Sequence, residues 1–137
     1  VLDAGCGSGF SLEILREIGY SCAGFDVSPA MVSLAKKKGF VAKVGDLRKI
    51  PFPKASFDAI VSISALQWID LNEASVVASE FRRVLKSNGR AVIQFYPESE
   101  KQLMDWAKAF KTARFSVVVT QEGLDSPRKR KVFLLLN

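Results

Sequence analysis

The first nine residues, Val1-Leu2-Asp3-Ala4-Gly5-Cys6-Gly7-Ser8-Gly9, leave this chain few folds to choose from. A short apolar strand closes on an acidic residue, glycines alternate at positions 5, 7 and 9, and a helical pattern starts at Phe10. Alternating glycines let a backbone turn tightly and approach a ligand that any Cβ would hold off. The turn feeds a helix N-terminus, where unpaired N–H groups and the dipole favour a carboxylate or phosphate. Such a unit holds a nucleotide-type cofactor. The dinucleotide fingerprint is G-x-G-x-x-G, with a third glycine that eases helix–strand packing. Here the spacing is G-x-G-x-G, and Phe10 stands where that third glycine belongs. Asp3 would repel a pyrophosphate, yet suits a ligand that carries an ammonium group.

The pattern D-x-G-x-G-x-G over Asp3–Gly9 resembles the first motif of the class I S-adenosylmethionine-dependent methyltransferases. The resemblance implies S-adenosylmethionine as cofactor, with Asp3, Gly5, Cys6, Gly7 and Gly9 around it. Ser21–Phe25 reads as a second short strand, and Asp26 ends it, placed to accept hydrogen bonds from both ribose hydroxyls. The plainer role for Asp26 is a capping acid ahead of Pro29. Val27, beside it, joins the candidate cofactor residues.

Strand and helix signals alternate along the rest of the chain. Phe10, Ile14, Leu15 and Ile18 form a stripe at helical spacing, with Ser8 as a candidate N-cap and Gly19 as a stop. Ser28-Pro29 opens the next helix, with Met31, Leu34 and Ala35 expected on its buried side and Lys36–Lys38 facing water. Phe40–Val44 and Phe57–Ile63 read as the third and fourth strands, the latter apolar enough to be buried on both faces. Val77, Phe81, Val84 and Leu85 mark a long helix expected to run to Asn88-Gly89, and Ala91–Phe95 the fifth strand. Ser99 with Gln102 forms a capping box ahead of a stripe of Leu103, Trp106, Ala107 and Phe110. Phe115–Val119 and Val132–Leu136 close the chain as two strands with no helix between them. The expected fold is α/β and Rossmann-like, of the class I methyltransferase type. Its seven-stranded sheet is mostly parallel, with one antiparallel strand near the C-terminus and helices on both faces.

The 137 residues suit a single domain over 1–137. No apolar run approaches the roughly twenty residues of a membrane helix, so no membrane partner is expected. Val1 already lies inside a strand, so an N-terminal segment is expected to be absent from this sequence. Two cysteines, Cys6 and Cys22, lack zinc-site spacing and form no disulfide framework. There are no histidines, which excludes Ser–His and Cys–His hydrolysis within this chain, and no metal site is expected. Twenty Lys and Arg against fourteen Asp and Glu, a net charge of +6, favour an anionic partner such as RNA.

Ligands of such sheets bind beyond the strands' carboxyl ends, near the point where strand order reverses. Asp3, Asp26, Asp46, Ser64 and Tyr96 all fall at such ends. Asp46 could accept the exocyclic amine of adenine, with Leu47 on one face of the ring and Met31 on the other; the plainer roles are a turn residue and helix core. Ser62 and Ser64 could meet the methionine end. Trp68 sits where a substrate base would enter, with stacking worth about 1–3 kcal/mol. Its alternative is to anchor the next helix to the core. Gln67 and Tyr96 complete a substrate-positioning set with Trp68.

Two stretches narrow the family. Ile63-Ser64-Ala65-Leu66-Gln67-Trp68 and Arg90-Ala91-Val92-Ile93-Gln94-Phe95-Tyr96-Pro97-Glu98 resemble the eukaryotic small-subunit ribosomal RNA guanine-N7 methyltransferases. Arg128-Lys129-Arg130-Lys131-Val132-Phe133-Leu134 is similar to that family's last strand. The resemblance implies methyl transfer to N7 of one guanine in small-subunit rRNA during ribosome maturation, in nucleus and cytoplasm. It also implies a heterodimer with a small zinc-binding activator protein along the third strand, Phe40–Val44, an edge whose Phe40-Val41-Ala42 is apolar. The helices before the first strand and the basic tail after the last are expected to be missing. A small-molecule methyltransferase and a cofactor-binding assembly factor with dispensable catalysis remain alternatives.

Overall fold

The alternation read from the sequence becomes β1 (Leu2–Ala4), α1 (Phe10–Glu17), β2 (Ala23–Asp26), α2 (Pro29–Lys37), β3 (Val41–Val44), β4 (Phe57–Ile63), α3 (Ala74–Val84), β5 (Leu85–Phe95), α4 (Glu100–Thr112), β6 (Val117–Glu122) and β7 (Lys131–Leu136). The structure is a computed structural model that describes residues 1–123 and 131–137; Arg128–Arg130 of the basic cluster lie outside the described residues. The seven strands order as β3-β2-β1-β4-β5-β7-β6. β1 pairs in parallel with β2 and β4, β2 with β3, and β4 with β5, whereas β7 runs antiparallel to both β5 and β6. This is the expected Rossmann-like sheet. Among the described residues no helix is long and apolar enough to cross a membrane.

α3 and α4 cover one face, packing Val77, Phe81, Leu103, Trp106 and Phe110 onto Ile60, Ile93, Phe95 and Leu134. On the other face α1 and α2 make two small clusters, Cys6, Leu12 and Phe40, and Val32, Ala35 and Ala42. Gly24 allows the first: a Cβ there would lie 2.6 Å from Cys6 Cβ and 3.2 Å from Leu12 Cδ1.

That seating corrects the reading of α1. Leu12 is its buried residue, while Phe10, Ile14 and Ile18 of the expected stripe are exposed. Periodicity gave the helix an apolar side, but the tight approach over Gly24 set which side meets the sheet. Its N-cap is Gly9 at φ 91°, without a side-chain cap bond, rather than Ser8. In α2 the Ser28 cap accepts from Met31 N–H at 3.3 Å as expected. The helix buries Val32 and Ala35, however, and leaves Met31 and Leu34 exposed. α3 stops at Val84, short of Asn88-Gly89, because Leu85 is drawn down to pair with Phe57 before the register slips to Ala59 opposite Arg90. At α4, Ser99 accepts from Gln102 N–H at 3.1 Å, and Gln102 Oε1 returns to Glu98 N–H at 2.8 Å. Phe115 leaves the expected sixth strand to pack edge-on against Phe110.

An ion pair on α3 helps to hold the β3–β4 connection. Arg83 binds Glu80 at 2.6 Å and donates to the carbonyls of Phe52 and Ile50 at 2.8 and 2.9 Å. Glu80 accepts from Ile50 N–H at 2.8 Å, and its bond from Arg83 holds its carboxyl below the usual range. Arg83→Ala leaves two carbonyls and a carboxylate without this partner and is expected to cost about 1–3 kcal/mol, measured as a lowered urea midpoint.

Candidate functional site

Four strand ends converge at the point where strand order reverses, between β1 and β4. They enclose a cleft of about 360 Å³. Gly5 comes from beyond β1, Phe25, Asp26 and Val27 from the end of β2, Gly45 and Leu47 from beyond β3, and Ser64, Ala65, Trp68 and Ile69 from beyond β4.

The glycine loop is tied to β2 along its length. Gly5 and Cys6 N–H both donate to Phe25 O at 2.9 Å. The Asp26 carboxylate accepts Gly7 N–H on one oxygen and Ser28 N–H on the other, each at 2.9 Å. At Gly5, φ is 88° and an added Cβ would come within 2.7 Å of Ala65 Cβ, so only glycine lets the loop lie against the β4 end.

Asp3 is fully buried beneath this loop, and neither carboxyl oxygen has a hydrogen-bond partner among the described residues. Burial raises its pKa to about 6; the nearby Ser11 side chain opposes that shift without forming a well-aligned bond, and Asp26 adds to it. A buried carboxylate without a donor is costly unless something cationic completes it. Cys6 is a neutral thiol, pushed up to about 12 by burial and then by Asp3 and Asp26.

Other candidates divide among this cleft and two neighbours. Leu47 and Val27 line the first, while Met31 lies outside its lining. Asp46 lines a second cleft of about 560 Å³ that shares Val27 and Gly45 with the first. Its carboxylate is held by Arg48, at 2.8 Å from Nε and 2.6 Å from the terminal nitrogen, which depresses its pKa. Any bond to an adenine amine must share those oxygens. Ser62 is fully buried and donates to Ala4 O at 2.8 Å, stitching β4 to β1; the serine expected to meet the cofactor has its hydroxyl committed there. Ser64 lines the first cleft and also a third, of about 330 Å³, where Tyr96 lies half-exposed. Trp68 is 81% exposed at the cleft mouth, so its alternative as a core anchor falls. Gln67 keeps a buried Oε1 without a partner.

Sequence reasoning passed over Phe25, Gly45, Ala65 and Ile69, which look like ordinary strand and loop residues. Gln94 was also missed as a site residue, although a polar residue in an apolar central strand is itself a signal.

Residues 2–93 match the methyltransferase domain family. The chain belongs to that family. Among its relatives, the 18S rRNA (guanine-N(7))-methyltransferase bud23 of Schizosaccharomyces pombe is 36% identical over 155 residues, covering 99% of this chain and 56% of the relative. The 18S rRNA (guanine-N(7))-methyltransferase of Bos taurus is 36% identical over 148 residues, covering 99% and 53%. The resemblance drawn from residues 63–68 and 90–98 is thus borne out, and the chain spans about half the length of these relatives. A TehB-like S-adenosylmethionine-dependent methyltransferase from Corynebacterium glutamicum shares the fold, with TM-score 0.81 and 23% identity over 99% of this chain and 78% of that one. So does a putative methyltransferase solved in complex with the Haloferax volcanii Trm112 methyltransferase activator, with TM-score 0.77 and 22% identity over 98% and 80%.

Asp3 titrates at 3.8 ordinarily and near 6 in the fold, so the folded state holds its proton more tightly. The protonated side chain costs the fold little below about pH 4; the penalty for burying its charge grows as pH rises and is fully felt once pH has passed 6. Asp3→Asn of the methyltransferase domain, free of ligand, is expected to leave stability unchanged near pH 4 and to raise it by up to about 3 kcal/mol near pH 8. Urea denaturation at the two pH values measures the difference.

Proposed function

We propose that this methyltransferase domain binds S-adenosylmethionine and directs methyl transfer to N7 of a guanine in small-subunit ribosomal RNA. The observation that carries the reading is a cleft built from four strand ends, with an exposed tryptophan at its mouth and, two residues before its Gly5, a buried carboxylate that has no donor among the described residues.

The residues present fit the cofactor. Asp3 supplies the anion an amino-acid ammonium group requires, and the glycine loop leaves room for close approach. Asp26 keeps lone pairs beyond its two backbone bonds for ribose hydroxyls. Phe25, Val27, Leu47 and Ile69 offer apolar surface to a purine ring. When bound, S-adenosylmethionine supplies a methyl group activated on a sulfonium. What this chain adds is alignment, since an in-line displacement needs nucleophile and methyl held at about 3–3.5 Å. Guanine N7 carries a lone pair and no proton, so no general base is required. Trp68 supplies a face for a base drawn out of its stack, and Gln67 and Tyr96 position it.

The heterodimer reading rests on the same resemblance and on the edge position of β3. Phe40 and Ala42 are covered by α1 and α2, so the surface open to an activator protein is Val41 and Val44, 61% and 52% exposed. Work on ribosome precursors would place the protein in nucleus and cytoplasm.

The first test is transfer of labelled methyl from S-adenosylmethionine to small-subunit rRNA by the full-length protein with its activator, mapped by borohydride–aniline cleavage. One cleavage site is expected. Label on small acids without RNA dependence, or cofactor binding with no label on RNA, sinks the reading; normal ribosome maturation by an Asp26→Ala variant that no longer binds cofactor would show instead that the methyl transfer is dispensable for assembly. Trp68→Ala is expected to lower RNA methylation about 10- to 100-fold with S-adenosylhomocysteine affinity retained. Val41→Lys is expected to abolish co-purification of the activator while the isolated chain keeps its stability.

A further inference from the structure

The third cleft lies beside the cofactor cleft and shares Ser64 with it. Its most unusual member is Gln94, a carboxamide only 6% exposed next to the C-terminal residue of β5. Ser64 Oγ donates to Gln94 Oε1 at 3.0 Å, and Ser64 N–H donates to Gln94 O at 2.9 Å. Ser64 itself sits at φ 55°, a left-handed conformation rare for serine, and both of these bonds hold it there. One end of the carboxamide is therefore engaged, and the other, Nε2, is buried with no partner among the described residues. The cross-strand neighbours of Gln94 are Ile63 on β4 and Phe133 on β7, neither of which offers a side-chain acceptor. A buried N–H₂ left in this state costs more than the bond it lacks is worth, so the site calls for an acceptor from outside.

We propose that Gln94 Nε2, oriented by Ser64, donates to O6 of the target guanine and makes this site selective for guanine over adenine. The inference rests on the guanine-N7 reading above. Guanine carries O6 next to N7 on one edge, both acceptors, whereas adenine keeps N7 and presents an N6 amino donor in place of O6. Ser64 belongs to both clefts, so an N7 directed toward the cofactor cleft brings O6 to the third cleft, which is lined by Gln94 of β5 and by Tyr96 just past its end. An adenine there would set donor against donor, both desolvated. A site built to bond a polar group rejects the analogue lacking it far more strongly than shape alone does. Gln94 is a specificity residue in this account; the transfer needs nothing from it beyond placing the base.

The test uses the full-length protein with its activator and splint-ligated small-subunit rRNA. The nucleotide that the wild type modifies is made either guanosine or 2-aminopurine riboside, which keeps N7 and lacks O6. The wild type is expected to prefer guanine about 10- to 100-fold in kcat/KM. Gln94→Ala and Gln94→Met, the second preserving side-chain length, are expected to lose that preference through a drop on guanine alone, with S-adenosylhomocysteine affinity retained. Equal loss on both RNAs, or an unchanged preference, overturns the proposal. Absence of any guanine labelling by the wild type overturns the guanine-N7 reading itself, and is distinguished because it precedes any variant.

Discussion

The carboxylate of Asp26 is the interaction on which the site depends. Its two oxygens take the N–H groups of Gly7 and Ser28, joining the glycine loop to the start of α2 across the end of β2. With Gly5 and Cys6 also bonded to Phe25 O, the loop has little freedom to move away from the strand. That attachment sets where α1 begins and how close the loop comes to Ala65 beyond β4. The width of the cleft is thus decided by backbone bonds, and the side chains around it are placed by consequence.

The same region concentrates polar groups that the fold leaves incomplete. Among the described residues Asp3 has two buried oxygens without donors, Gln67 one buried oxygen without a donor, and Gln94 a buried amide nitrogen without an acceptor. Buried polar atoms are ordinarily paired. Three such residues at or beside one set of strand ends indicate a surface shaped for bound molecules at some expense of stability, as perturbed groups in clefts often are. Trp106 Nε1 is a further unpaired buried atom, but it lies in the α4 core away from the clefts. Ser62 shows the contrast, since its hydroxyl is satisfied by Ala4 and holds two strands together.

How much was legible depended on whether local chemistry or packing decided the outcome. The glycine loop, Asp26, the Ser28-Pro29 cap, the capping serine at 99 and the parallel order of the sheet all follow from local patterns. The faces of α1 and α2 did not. Phe10, Ile14 and Ile18 satisfy helical periodicity as well as any buried stripe, yet Gly24 admits Leu12 and Cys6 to the sheet instead. The end of α3 was likewise misplaced, because β4 pulls Leu85 into a strand that the helical spacing would have kept.

By itself the sequence determined the cofactor loop, the acidic strand ends and the family resemblance, since these rest on residues within a few positions of one another. Tertiary structure alone decided which of those residues share a cleft. It committed Ser62 to β1, turned Asp46 toward Arg48 and a second cleft, exposed Trp68, and left Gln94 buried with a free donor. Each of those outcomes is set by a partner about 30 or more residues away, or by its absence, except the Arg48 bond; spacing along a chain carries no record of such partners.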